Sequence, residues 1–296
     1  LNKERNFFKI DICSKNIFKI INKFNPEVII NFAAESHVDK SIEKPDAFIK
    51  SNYFGVFNLI SATQKYNLKK KNKIKFVQIS TDEVFGSLAK KDLAKKENDN
   101  YHPSSPYSST KAAADLLIKS WIKTYDFPAI IIHPSNNYGS WQFPEKLIPL
   151  SILKLISNEK VPIYGEGKNI REWIYVNDCV NAIIKVLENG KSGESYNLGS
   201  GVQCSNLDLI KLLIKRIKPS EKNYQDLINF VPDRPGHDFR YNIDNKKIKN
   251  NIKWSPKFDF EEGIALTVDW YLENQSWLKK NKKKIGVSRR LGAPNK

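Results

Sequence analysis

The apolar residues of this chain fall into two alternating kinds of block, short continuous runs and longer stretches with helical spacing. FFKIDI, residues 7–12, reads as the end of a strand. Ile17, Ile20, Ile21 and Phe24 recur on one helix face, with Ser14 as the expected cap and Pro26 as the break. VIINFAA, residues 28–34, is a continuous apolar run of the kind buried on both faces in a parallel sheet. The pattern then predicts a helix over 45–66 and a strand over 74–80. After a long polar loop it predicts a helix over 106–125 and a strand over 129–134.

Strand, helix, strand, helix, strand is the doubly wound α/β pattern with a parallel sheet. In such folds ligands sit beyond the C-terminal ends of the strands. Those ends read Ala33-Ala34-Glu35-Ser36, Ser80-Thr81-Asp82-Glu83 and Pro134-Ser135-Asn136-Asn137. Small and polar residues at three successive strand ends suit a site better than a packed edge. After Gly139 the pattern changes. Helices are predicted over 143–156, 177–188 and 206–217, and short strands over 161–167, 172–176 and 195–200. We therefore expect an α/β domain over 1–140 and a smaller α+β domain over 141–296, with 177–200 a candidate to return to the first.

Composition narrows the class. The chain is 40% hydrophobic, with 16 Phe, 12 Tyr and 6 Trp, which supplies a core and excludes a disordered chain. Its 49 basic and 32 acidic residues leave a net charge of +17. The excess is Lys spread along the whole sequence, not basic faces interleaved with stacking aromatics, so we expect no nucleic-acid partner. No run approaches a membrane span. Three scattered cysteines, Cys13, Cys179 and Cys204, form no metal or disulfide pattern and point to the cytoplasm. No metal is expected.

The candidate chemistry lies at the strand ends. Tyr-x-x-x-Lys places a phenol and an ammonium on one helix face, where the cation favours phenolate. The motif occurs three times, as Tyr66/Lys70, Tyr107/Lys111 and Tyr164/Lys168, about as often as chance gives. Only Tyr107 follows a proline at a predicted helix start. Asp82 and Glu83 adjoin Thr81 at a strand end, and adjacent carboxyls in unlike environments can divide into acid and base.

These motifs resemble the dTDP-glucose 4,6-dehydratase family of extended short-chain dehydrogenase/reductases. The similarity rests on N31-F-A-A-E-S-H-V-D39, I79-S-T-D-E-V-F-G86, Y107-S-S-T-K111, S135-N-N-Y-G139 with Q142-F-P-E-K-L-I-P-L150, Y164-G-E-G-K-N-I-R-E-W-I-Y-V176 and D233-R-P-G-H-D238. Phe85, His133, Ser140 and Glu172 stand where the family usually has Tyr, Arg, Pro and Asp.

The resemblance implies a Rossmann-type fold, NAD as cofactor, a nucleotide-sugar substrate and a homodimer. It implies a hydro-lyase of deoxysugar biosynthesis that oxidises C4, eliminates water across C5 and C6, and reduces C6. Tyr107 would take the C4 hydroxyl proton, Glu83 the C5 proton, and Asp82 would protonate the C6 oxygen. Thr81 would bond the C4 oxygen, and Lys111 would also hold the nicotinamide ribose. Asp11, Ile12, Ala33, Ala34, Ser51 and Asn137 would line the cofactor with Tyr107 and Lys111. Ser36, Asn136, Lys146, Leu147, Pro162, Tyr164, Arg171, Asn206, Asp233, Arg234 and His237 would hold the nucleotide sugar, together with Thr81. For the two arginines the physics agrees, because a guanidinium fork suits a pyrophosphate.

A 4-epimerase or decarboxylase shares the fold and the Tyr/Lys pair but needs no C5 base beside a C6 acid. Dinucleotide folds also open with a glycine-rich loop at a helix start. This chain has no such G-x-G-x-x-G and no Met. The sequence thus leads us to expect that a first unit of roughly 45–50 residues is missing. An inactive fragment that binds NAD poorly is the corresponding alternative.

Overall fold

The computed structural model describes residues 7–282. Its contacts divide the chain into two units. The first comprises Leu1–Ser80, Pro106–Ile131 and Lys191–Glu194, and the second Thr81–Ser105, Ile132–Gly190 and Ser195–Lys296.

The first unit contains α1 (Ile17–Phe24), β1 (Val28–Asn31), α2 (Val38–Glu43), α3 (Pro45–Phe48), α4 (Gly55–Asn67), β2 (Lys75–Ile79) and α5 (Pro106–Tyr125), and enters β3 (Ala129–Pro134). β1 and β2 are parallel, with Asn31 opposite Gln78. Phe76 donates its N–H to the Pro128 carbonyl just before β3. The core of this unit joins Ile17 and Ile21 of α1, Val56 and Ile60 of α4, Phe76 of β2, Ala114 and Ile118 of α5, and Ile131.

The second unit carries the end of β3, then β4 (Asn136–Tyr138), α6 (Leu147–Ile156), β5 (Val161–Tyr164), β6 (Ile170–Tyr175), α7 (Val176–Asn189), β7 (Ser195–Leu198), β8 (Gln203–Ser205), α8 (Asn206–Ile217), β9 (Ile228–Val231), α9 (Phe260–Glu273) and α10 (Gln275–Lys282). The sheets have the strand orders β1-β2-β3-β7, β4-β6-β8 and β5-β9. β4 runs parallel to β6 and β5 to β9, whereas β8 is antiparallel to β6. Ile148 and Ile152 of α6, Leu209 and Leu213 of α8, and Ile264, Val268 and Tyr271 of α9 build the core here. Among the described residues no helix is long and apolar enough to cross a membrane.

Four expected elements differ. Residues 7–12 form no strand, because apolar alternation makes a strand only where a backbone neighbour closes the ladder. α1 begins three residues after Ser14, whose hydroxyl accepts the Asn16 N–H in a local turn and so does not cap the helix. The helix expected over 143–156 begins only at Leu147, because Lys146 is extended and the preceding N–H groups close a turn onto Phe143. Pro149 fits within the first turn of α6, where helix N–H groups lack intrahelical partners. The helix expected over 45–66 is helical throughout, but Ile49–Phe54 is a π-helical stretch. A wider turn shifts the apolar period, so periodicity alone does not reveal it.

Candidate active site

In the first unit the groups cluster beyond β1 and β2. Asn31, buried at the end of β1, donates to the Gln78 side chain at 2.9 Å and accepts the Ala33 N–H at 3.1 Å. This fixes the turn that carries Ala33 and Ala34. Asn52, in the π-helical stretch beside Ser51, accepts the Glu35 N–H and donates to the Glu35 carbonyl, both at 2.9 Å. It also donates to Thr110 of α5 at 3.1 Å. One buried amide thereby ties the loop of Ser36 to the helix of Tyr107 and Lys111. Ile12 packs against Gly55, where an added Cβ would come within 2.5 Å of it. Asp11 accepts the Cys13 N–H at 2.8 Å, and that bond first of all holds its carboxyl below the ordinary range.

Tyr107 and Lys111 lie one turn apart on α5, and both are buried. The Lys111 ammonium donates to the Ile79 carbonyl at 2.6 Å, at the end of β2. Burial draws its pKa down to about 8, while Asp115, one turn further along α5, works the other way. At neutral pH the group thus stays mostly cationic. Asp115 is itself anchored by the Ser80 hydroxyl.

The second unit holds the paired carboxyls. Thr81 is extended and accepts the Glu83 N–H at 3.3 Å, capping a 3-10 turn over Asp82–Phe85. The turn closes on Gly86 at φ +76°, where a Cβ would lie 2.1 Å from the His102 carbonyl oxygen. Gly86→Ala should therefore cost about 1–3 kcal/mol through strain and overpacking. A lowered melting temperature together with lost turnover would register it, and an unchanged melting temperature would refute the requirement for glycine.

Asp82 is 3% exposed, and among the described residues its Oδ2 has no hydrogen-bond partner. Burial, followed by the charges of Glu83 and Glu172, pushes its carboxyl well above the usual range. Burial also raises Glu83, but Arg234, Arg171 and Lys146 pull against it. Adjacent carboxyls thus meet different fields, the arrangement an acid and a base require.

Around them lie the cationic groups. Arg171 donates to the Ile170 carbonyl at 2.8 Å and the Asp238 carbonyl at 3.0 Å. The Arg234 guanidinium lies 5.4 Å from the Tyr164 ring centroid and donates to His237 Nε2 at 3.3 Å. His237 Nδ1 faces Asp233 at 2.5 Å. Burial, then Arg234 and Arg171, lower His237 to about 4, so it is neutral at pH 7 with Nδ1–H as donor. Tyr164 and Pro162 lie on β5, and Gly165 turns at φ +54° beside Asp233. Asn206 opens α8 and Lys146 and Leu147 open α6. Asn137 donates to the Ser135 carbonyl at 3.1 Å, and Oδ1 of both Asn136 and Asn206 is buried without a partner among the described residues.

Four groups escaped the sequence reading. Glu172 is fully buried, and its oxygens accept the Gly201 N–H at 2.8 Å and the Ile243 N–H at 3.1 Å. Tyr241, Asp238 and Ser104 form a chain next to Glu83. Asp238 closes the D-R-P-G-H-D run and so had a signal, whereas Tyr241 and Ser104 had none.

The profile of the GDP-mannose 4,6 dehydratase family matches residues 1–267. The chain is 44% identical over 289 residues to the dTDP-glucose 4,6-dehydratase of Salmonella typhimurium, covering 92% of this chain and 80% of that protein. It resembles the solved dTDP-glucose 4,6-dehydratase of Streptomyces venezuelae, crystallised with NAD, at a TM-score of 0.88 and 33% identity, covering 95% of this chain and 83% of that one. The UDP-glucose 4-epimerase of Thermotoga maritima resembles it at a TM-score of 0.84 and 27% identity, covering 93% and 87%.

Proposed function

The chain belongs to the GDP-mannose 4,6 dehydratase family, and from its similarity to the dTDP-glucose 4,6-dehydratases we propose that it converts dTDP-glucose to dTDP-4-keto-6-deoxyglucose. The observation that carries this reading is the Asp82–Glu83 pair, two neighbouring carboxyls in one turn with unlike surroundings. A 4-epimerase has no use for such a pair, since its reaction breaks no C5–H or C6–O bond.

The donor set fits NAD. Asp11 is an ionised acceptor for hydroxyl or amino groups, Ala33 and Ala34 leave the end of β1 uncrowded, and Lys111 supplies a buried ammonium. Asp11, Ile12, Ala33, Ala34, Ser51, Tyr107, Lys111 and Asn137 would hold it. When bound, NAD supplies the two-electron acceptor and donor for the oxidation at C4 and the reduction at C6.

The chain's own groups move the protons. Tyr107 removes the C4 hydroxyl proton, with the Lys111 cation on the same helix face favouring its phenolate. The C4 carbonyl then acidifies C5–H, and Glu83 takes that proton. Asp82, whose carboxyl burial pushes well above the usual range, gives its proton to the C6 oxygen, so the C6–O bond breaks and water leaves as the C5–C6 double bond forms. Arg171 and Arg234 suit the pyrophosphate, and neutral His237 keeps Asp233 oriented beside them. Incubation with dTDP-glucose and NAD tests the reading: a 4-keto product that has lost the C6 hydroxyl supports it, and a C4-inverted sugar overturns it.

We also assign a homodimer formed through the π-helical stretch, α4 and α5. Ile49, Phe57 and Leu116 are exposed in the first unit, and Phe57 packs edge-on to Trp121 at 6.1 Å. Pairing such apolar helix faces removes them from water. Ile49→Lys with Leu116→Lys should shift the mass measured by light scattering from dimer to monomer, and a monomeric parent would refute the assignment. The unpaired cysteines suit a cytoplasmic setting.

A further inference from the structure

Glu83 is not alone at its inner edge. The hydroxyl of Tyr241, a residue 5% exposed, lies 2.5 Å from Asp238 Oδ2 and 3.5 Å from Glu83 Oε2. The short bond takes the phenol's single hydrogen. A phenol has one donor and two acceptor positions, so the oxygen that remains toward Glu83 is an acceptor. Asp238 is committed to this role from its other side, since its Oδ1 accepts the Ser104 hydroxyl at 2.5 Å. The Tyr241 ring is fixed as well, with the Arg171 guanidinium carbon 4.3 Å from its centroid.

We propose that Asp238 and Tyr241 are positioning residues for the base, holding against Glu83 an acceptor for the hydrogen bond its carboxyl donates once it has taken the C5 proton. The inference rests on the reading of Glu83 as that base. An acceptor beside a carboxyl favours its protonated form and does nothing for the carboxylate. Tyr241 thereby stabilises the state that proton abstraction produces. Asp238 performs two functions in this arrangement: it retains the phenolic hydrogen, and its charge adds to the proton affinity of Glu83. The other charged groups facing Glu83 are Arg234, Arg171 and Lys146, which oppose it, and the adjacent Asp82. Asp238 is the carboxylate that offsets three cations. No covalent step is added, because the proton travels from C5 to Glu83 Oε and stays there, shared with the Tyr241 oxygen.

The sign of the pH effect follows. A base works in its ionised form, so the rate falls as pH drops through the Glu83 pKa. Asp238→Asn removes a negative charge and loosens the hold on the Tyr241 hydrogen, which can then turn to the Glu83 carboxylate. Both changes lower the Glu83 pKa.

The experiment follows 4-keto product formation from dTDP-glucose against pH, with solvent deuterium entry at C5 as a second readout. Asp238→Asn should lower kcat about tenfold, leave KM within about twofold, and move the acid limb to lower pH by about one unit. Tyr241→Phe should lower kcat and deuterium entry to a similar degree while the melting temperature stays near that of the parent. It serves as the second variant if Asp238→Asn does not fold. A parent-like kcat and pH profile in both variants would overturn the proposal. So would a raised KM at constant kcat, which would assign the pair to substrate binding through Arg171. Glu83→Gln separates the two levels: if it keeps deuterium entry at C5, the base assignment itself fails and this inference falls with it. If it abolishes entry while Asp238→Asn and Tyr241→Phe behave as the parent, only the positioning role fails.

Discussion

Glu83→Gln is expected to stop the elimination, with kcat lower by at least the roughly 10²–10⁴ of a positioned base. Gln keeps the volume and one acceptor but has no proton affinity, so C5–H is not broken and no solvent deuterium enters there. Asp82→Asn should act later in the sequence. C5 exchange continues, because Glu83 remains, while the C6 oxygen receives no proton and water leaves slowly. The separation follows from the surroundings of the two carboxyls. Asp82 is deeply buried and pushed well above the ordinary range, whereas three cations pull back on Glu83. The two variants should therefore give different deuterium patterns in recovered sugar, read by NMR. Equal loss of exchange in both would contradict the division of labour, and undiminished turnover in both would refute the site.

Tyr107→Phe is expected to lower the first oxidation by about 10²–10⁴ with the fold intact. The ring stays buried and keeps its edge-on contact with Phe48 at 6.4 Å. The measurement is the single-turnover rise of absorbance from reduced cofactor. Tyr66→Phe is the control. That phenol lies at the end of α4, bonded to Asn25, with the Lys70 ammonium 5.6 Å from its ring centroid. A Tyr66→Phe variant as slow as Tyr107→Phe would mean that the wrong Tyr-x-x-x-Lys had been chosen. Lys111→Met tests the same device from the other side. A buried ammonium drawn from 10.5 down to about 8 destabilises the fold as pH falls through that range and fully below it, because the unfolded chain binds the proton more tightly. Loss of turnover should therefore come without loss of melting temperature at pH 7.

The helix of Tyr107 and the strand before Asn136 were legible to the residue. α5 spans Pro106–Tyr125 and β3 spans Ala129–Pro134, as the apolar pattern predicts. Both are bounded by strong local signals, a proline at the helix start and a β-branched run of isoleucines. The structure puts Tyr107 and Lys111 on one helix, as their spacing predicts. Tyr164 closes β5 and its lysine pairs with Glu166 across a glycine turn, so no helix brings that pair together. α2, β4, β8, β9, α9 and α10 were not anticipated. The π-helical stretch was invisible because it changes no composition, only the period, and its role depends on Asn52 reaching Glu35 and Thr110.

The sequence by itself determined the alternation of strand and helix from Val28 to Pro134, the adjacency of Asp82 to Glu83, and the one-turn spacing of Tyr107 and Lys111, because propensity, apolar period and helix pitch are local properties. Only the tertiary structure decided which carboxyl is deeply buried, which cations face Glu83, and that Tyr241, 158 residues further along the chain, stands within 3.5 Å of it. Solvation and field at a titrating group are set by whatever the fold packs around it. Those neighbours come from segments whose separation along the chain carries no trace of their meeting.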